Sequence, residues 1–198
     1  MALDDVAELA EAREKGGRDR WIALFIGVLA VGLAICALGG DNATKDATHK
    51  NIEASNVWSF FQAKNLRRQM VRLQIDDLTL RLASQPGMTE DANAAMQAKL
   101  QAYKEQEKQL TSDPQSGEGL DELFVKGKAL EEARSVALQR DPYFDLGQAF
   151  LQIAIVLASV AIIAGTNFFV VLSVLIGLAG GVMTLNGYLL LWHLPFVG

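Results

Sequence analysis

The side chains best equipped for chemistry are few, and their spacing does not join them. His49 and His193 are the only histidines, Cys36 is the only cysteine, and carboxylates stand side by side at Asp76-Asp77 and Glu131-Glu132. A zinc-type site needs three or four nitrogen or sulfur ligands at short spacings. Two distant histidines and one thiol do not supply it. A serine nucleophile needs a neighbouring base, and neither histidine is placed to be one. General acid–base work needs two carboxylates converging on one substrate, whereas adjacent residues of a helix point to different sides. Those pairs are expected on solvated faces. No glycine-rich phosphate loop follows a strand, and no strand is evident. No catalytic, cofactor-binding or metal-ligating residue is therefore expected, and the chain is read as a non-enzyme. The net charge of −5 argues against nucleic acid, which selects basic faces. A single thiol forms no intrachain disulfide, so it does not report the redox compartment.

What the sequence does organise is hydropathy. Hydrophobic residues make up 51% of the 198, and every charged residue falls outside three windows, Trp21 to Gly40, Leu146 to Gly165 and Phe168 to Trp192. A charge-free apolar stretch of about 18 residues is enough to cross a bilayer core of roughly 30 Å. The expected fold is an all-α integral membrane protein with three transmembrane helices and a helical, coiled-coil-like stalk domain between the first and second. The boundaries read as an N-terminal amphipathic tail (1–20), transmembrane helix 1 (21–40), the stalk (41–141), transmembrane helix 2 (142–165), transmembrane helix 3 (168–192) and a C-terminal tail (193–198). Leu3, Val6, Leu9 and Ala10 form a weak helical face in the first tail. The first apolar run exceeds the 7–15 residues of a signal-peptide core, and Leu33-Ala34-Ile35-Cys36 lacks the small residue of a lipoprotein site, so Trp21 to Leu38 reads as an uncleaved anchor.

Within the stalk, helices are expected at about 43–85, 89–110 and 120–140. Gly39-Gly40-Asp41-Asn42 precedes the first. That helix carries two apolar stripes, one of Val57, Phe61, Val71, Ile75, Leu78 and Leu82, the other of Ile52, Leu66, Leu73 and Leu80. The last three residues of the second repeat at the coiled-coil period of seven. Part of the Phe61, Val71, Ile75, Leu78 stripe is expected to stay uncovered in one chain and to serve as an oligomer interface. Gln85-Pro86-Gly87 signals a turn, Thr89 an N-cap, residues 111–119 a loop, and Asp141-Pro142 a new helix start. At 1.5 Å rise per residue the first helix extends roughly 60 Å, and the other two together about as far. An outgoing helix with two shorter ones end to end on the return is the simplest closure.

Arg13, Lys15, Arg18 and Arg20 lie just before the first span. Basic residues beside short segments stay cytoplasmic, which places the N-terminus in the cytoplasm and the stalk in the periplasm of a bacterial inner membrane. Ser173, Gly177 and Gly181 are spaced four apart, the spacing that lets membrane helices approach closely; Gly180, Thr184 and Gly187 form a nearby ridge, and Ala154, Ala158 and Ala161 offer a matching face. Gln148, Gln152, Ser159, Thr184 and Asn186 are the polar residues a pore would use. None is ionisable, and interhelical hydrogen bonding is the expected role. Trp21, Tyr188, Trp192 and His193 fit interfacial anchoring.

Two segments, NIEASNVWSFFQAK (51–64) and FDLGQAFLQIAIVLASVAII (144–163), resemble an uncharacterised bacterial membrane-protein family, domain of unknown function 4337. The resemblance implies an anchor, a central helical region with a tryptophan and Gln-Ala-Lys, here Trp58, Gln62, Ala63 and Lys64, and a C-terminal pair of spans. It also implies basic residues between the last two spans, where this chain has Gly165-Thr166-Asn167. It implies no activity. The expected function is a homo-oligomeric membrane scaffold or an accessory subunit of a larger membrane assembly, with the lipid bilayer and further copies as partners. The alternative is an oligomeric channel or transporter-like protein whose pore is lined by the C-terminal spans. Gln148 and Gln152 discriminate: an axial position favours the pore, a position against the third span the scaffold.

Overall fold

The computed structural model describes residues 2–84 and 87–193, with side chains described from Gly16 onward. The expected face of Leu3, Val6, Leu9 and Ala10, the Arg13 and Lys15 side chains, Gln85-Pro86 and the tail beyond His193 lie outside that description. The described residues form four α-helices and no strand: α1 Ala2–Ser84, α2 Glu90–Thr111, α3 Leu120–Ala164 and α4 Asn167–Leu189. Segments of α1, α3 and α4 are long and apolar enough to cross a membrane, which is compatible with a multi-pass membrane protein. The chain divides into two compact units, residues 48–134 and the remainder.

In the unit formed by residues 1–47 and 135–198, three helices meet along seams of small residues. Buried positions on α1 recur every seven residues, at Ile22, Leu29, Cys36 and Ala43, the period of supercoiled helices. On α3 the buried line is Phe144, Gly147, Leu151, Ala154, Ala158 and Ala161, and on α4 it is Ser173, Gly177, Gly180, Thr184 and Gly187. Both advance by alternating steps of three and four, the pattern that keeps one face on a partner. Their contacts run antiparallel. Phe144 meets Gly187, Gly147 meets Thr184, Leu151 meets Gly180, and Ala154 meets Gly177. Side-chain size sets the fit, since small residues on both helices let their backbones approach closely.

Two expected helix boundaries are absent. The helix does not end at Gly39-Gly40; α1 runs through both. Glycine costs a helix interior roughly 1 kcal/mol relative to alanine, but here it makes room. A Cβ on Gly39 would fall against the Phe144 ring and 2.8 Å from the Tyr188 hydroxyl, and one on Gly40 would stand 3.3 Å from the Phe144 Cβ. Phe144, 1% exposed, is pressed into that notch. Nor does Asp141-Pro142 begin a helix, since Pro142 lies inside α3. Its missing N–H removes one bond from the ladder. The neighbouring Tyr143 and Phe144 are both fully buried, and that packing holds the segment helical.

In the unit of residues 48–134, α2 and the first part of α3 pack in turn along α1, in the opposite direction. Arg72 pairs with Glu107, Lys64 Nζ donates to the Glu118 carbonyl, Trp58 Nε1 donates to Glu131, and Arg134 donates to Asn51. As numbers fall on α1 they rise on the returning helices, as the length argument expects. Thr89 caps α2, its hydroxyl accepting from the Ala92 N–H at 3.4 Å. Glu90 and Asp91 in the first turn suit the positive end of the helix dipole.

Candidate functional site

Trp58 is the hub of the second unit. Its ring stands edge-on to Phe61 (centroids 5.5 Å) and Phe124 (5.7 Å), and Gly127 on α3 leaves the space it fills, since a Cβ there would lie 2.9 Å from the indole. The indole N–H donates to Glu131 Oε1 at 2.9 Å, and Lys128 bonds the other carboxylate oxygen at 2.8 Å. The Lys128 bond foremost, with the Trp58 bond behind it, holds the Glu131 carboxyl below the usual glutamate range. Lys64 lies over Phe60 while bonding the Glu118 carbonyl at 2.5 Å. Of the four motif residues, Trp58 and Lys64 thus fasten α1 to the returning chain, whereas Gln62 and Ala63 are exposed. Ala63 lines a small cleft with Phe60, Lys64, Arg67 and Glu118.

The loop between α2 and α3 is held by carboxylates. Glu122 accepts from the Ser112 hydroxyl at 2.7 Å and the Asp113 N–H at 3.1 Å; Asp113 accepts from the Ser116 hydroxyl and N–H. The Ser112 bond chiefly lowers the Glu122 carboxyl, and the Ser116 hydroxyl chiefly lowers Asp113. Gly119 is forced by close approach: a Cβ there would run into Glu122 and the Asp113 amide.

The stripe expected to stay partly uncovered is the better covered of the two. Phe61, Val71, Ile75 and Leu78 are the covered face of α1 in this unit, with Val71 7% exposed and the others partly buried. The thin faces of α2 and α3 cover one stripe, and they take the one that continues from Val57 and Trp58. The other stripe is bare, with Ile52, Leu66, Leu73 and Leu80 exposed at 53, 55, 68 and 67%. Met70 stands beside them at 57%.

The spans separate the small residues in the same way. Ser173 and Gly177 are buried, Ser173 Oγ donating to the Ala154 carbonyl at 2.6 Å and Gly177 lying between Leu29 and Ala154. Gly181 is off this seam, with open space where its Cβ would be, beside a groove lined by Gly32, Ile35, Leu178 and Leu185. The polar residues mostly serve their own helix. Thr184 Oγ1 donates to Gly180, Ser159 Oγ to Ile155, and the Asn186 amide clamps both backbone groups of Trp192. Tyr143 donates to the Trp192 carbonyl as well. Cys36 Sγ lies buried, 3.2 Å from the Phe144 carbonyl it donates to. Gln148 is partly buried beside Gly40, and Gln152 is exposed.

The residues first weighed for chemistry stay apart. His49 and His193 are exposed, Asp77 pairs with Arg81, and Glu132 is exposed beside the bonded Glu131. No group of three histidine, cysteine or carboxylate side chains gathers among the described residues. Sequence reasoning missed the Phe144 notch, for which the signal was available in Gly39-Gly40 and Gly187. It also missed the Asn186 clamp, which has no local signature. Residues 18–190 match the model of the family described as Domain of unknown function (DUF4337). No curated protein and no solved structure matches the chain.

Proposed function

The chain belongs to the DUF4337 family, and on that premise we propose that it is a non-enzymatic, homo-oligomeric membrane scaffold or the accessory subunit of a larger membrane assembly. In this reading three spans anchor it, and residues 48–134 form a coiled-coil-like, water-facing domain. The observation that carries the reading is the bare stripe of Leu66, Leu73 and Leu80 on α1. Its period of seven is the coiled-coil period, and an exposed apolar strip of this kind marks an interaction surface.

Burying a large apolar side chain is worth about 1.5–3 kcal/mol, so Leu73→Asp with Leu80→Asp removes the driving force without touching the covered face. The purified full chain in detergent is expected to show a native mass of several protomers. The double variant is expected to fall to a smaller mass with unchanged thermal unfolding. A wild-type mass of one protomer in both detergent and lipid nanodiscs sinks the reading.

The channel reading keeps one supporting observation, the exposed position of Gln152 on α3. It ranks second because Ala149, Val156 and Ile163 interrupt Gln152 and Ser159 on that face, Ser159 bonds back to its own helix, and no residue from 146 to 165 is ionisable, whereas a wetted path needs a continuous polar line. Ion flux through liposomes holding the pure protein would promote it.

A further inference from the structure

Accounting for the polar groups inside the spans leaves two amides without a hydrogen bond among the described residues, Gln148, partly buried beside Gly40, and Gln152, which alone is on the outer surface. Cys36, Ser159, Ser173, Thr184 and Asn186 each bond within the chain. Gln152 is exposed and makes no hydrogen bond among the described residues. Its depth follows from the neighbouring Leu151, which meets Gly32 of α1. Gly32 lies six residues inside the end of the apolar run Trp21–Leu38, roughly 9 Å at 1.5 Å per residue. In hydrocarbon an unsatisfied amide costs several kcal/mol.

The face around Gln152 differs from the other outer faces. The exposed positions of α1 and α4 at this depth are apolar throughout, Val28, Val31, Ile35, Leu175, Leu178 and Leu185 with the smaller Ala30 and Ala34, and none carries an amide. The outer face of α3 reads Ala149, Gln152, Val156, Ser159 and Ile163, all exposed. These steps of three and four repeat the rhythm of the buried seam on the opposite side of the same helix. Ala149 and Ser159, on either side of the amide, are small enough to let a second helix backbone approach.

We propose that this face of α3 is a self-association surface, on which the Gln152 side chain pairs with Gln152 of a second copy. The occupant follows from the chemistry. A primary amide carries both donors and an acceptor, so each can donate to the carbonyl oxygen of the other. Copies inserted with the same orientation bring identical depths together, and a two-fold contact joins like to like. Asp145 begins the same face at its outer end, level with the last turn of the apolar run, where two carboxylates remain hydrated. This rests on the membrane-scaffold reading and adds to it a second contact, separate from the Leu66, Leu73, Leu80 stripe.

The test uses the full chain in lipid nanodiscs and in native membranes. Val156→Cys is expected to form a disulfide-linked dimer on mild oxidation, and Leu178→Cys, on the outer face of α4, is not. Adding Gln152→Leu to Val156→Cys removes the amide while making the face more lipid-compatible. It is expected to lower the dimer yield about tenfold, as the loss of two interhelical hydrogen bonds implies. Gln152→Asn, which keeps the amide, retains part of it. Equal crosslinking with and without Gln152→Leu overturns the pairing, as does a Val156→Cys adduct with a different protein. Failure here is distinguishable from failure of the scaffold reading: if Met70→Cys, beside the bare stripe, still crosslinks, the scaffold stands and only the Gln152 contact falls. A chain that stays soluble without detergent overturns both.

Discussion

Gly180 and Gly181 are neighbours of one type in one apolar helix, yet they have opposite surroundings. A Cβ on Gly180 would stand 3.1 Å from both the Gly147 carbonyl oxygen and the Leu151 amide nitrogen, backbone atoms that cannot swing aside, whereas one on Gly181 meets nothing within 4 Å. Gly180→Ala is therefore expected to cost about 1–3 kcal/mol through overpacking, read as a lower unfolding temperature in detergent. Gly181→Ala is expected to be neutral or to stabilise by up to about 1 kcal/mol, because alanine is the better helix former. Equal effects of the two would mean that α3 and α4 do not meet along Gly147, Leu151 and Ala154. Spacing by four joins Gly177 to Gly181 on paper. Only the alternation of three and four, continued through Ser173, Thr184 and Gly187, picks out the buried ridge, and that alternation becomes decisive once a second helix shows the same rhythm.

At the scale of elements, legibility followed the strength of local chemistry. Thr89 announces α2 because a threonine hydroxyl ahead of two acidic residues has one local use, and the structure shows that use. Gly39-Gly40 and Pro142 are read locally as breaks and are not, since tertiary packing around Phe144 outweighs a propensity cost of a few kcal/mol. The stripe to be covered on α1 was illegible for a related reason: both stripes are apolar, and the choice belongs to Leu120, Leu123 and Gly127 on a distant segment. The α2–α3 loop yields a pH prediction. Asp113 and Glu122 have lowered folded pKa values, so the stability they give the loop is present above the usual carboxylate range, near 4. It is lost as pH falls through the lowered values. Amide exchange of residues 112–119, corrected for intrinsic rates, is expected to lose protection selectively below that range, and Glu122→Gln is expected to produce the same loss at neutral pH. Protection that is unchanged in Glu122→Gln would mean that the carboxylate is a bystander.

For the whole molecule, one hydrogen bond couples two ends that the sequence leaves separate. Arg18 Nη1 donates to the Gly165 carbonyl at 2.8 Å, so the start of the first apolar run and the hairpin Gly165-Thr166-Asn167 share one end of their unit. Thr44 donates to Asp141 at 2.9 Å at the other, where the chain leaves toward residue 48 and returns after 134. The hairpin has no basic residue of its own, but Arg18 brings one to it, and Arg13, Lys15 and Arg20 lie nearby in sequence. The other end carries Asp41, Asp46, Asp141 and Asp145 against Lys45 and Arg140. Basic residues beside short segments are retained in the cytoplasm, so the hairpin is expected inside and residues 48–134 outside. Single cysteines at Gln115 and Thr166 test this with a membrane-impermeant thiol reagent on intact spheroplasts of an expressing bacterium. Gln115→Cys is expected to label at once and Thr166→Cys only after lysis, while the native Cys36, fully buried, stays dark in both. The reverse order places the bare Leu66, Leu73, Leu80 stripe in the cytoplasm and sends the search for its partner there. Labelling of both cysteines before lysis would mean that the hairpin does not reach the inner face, and the three-span reading would fall with it.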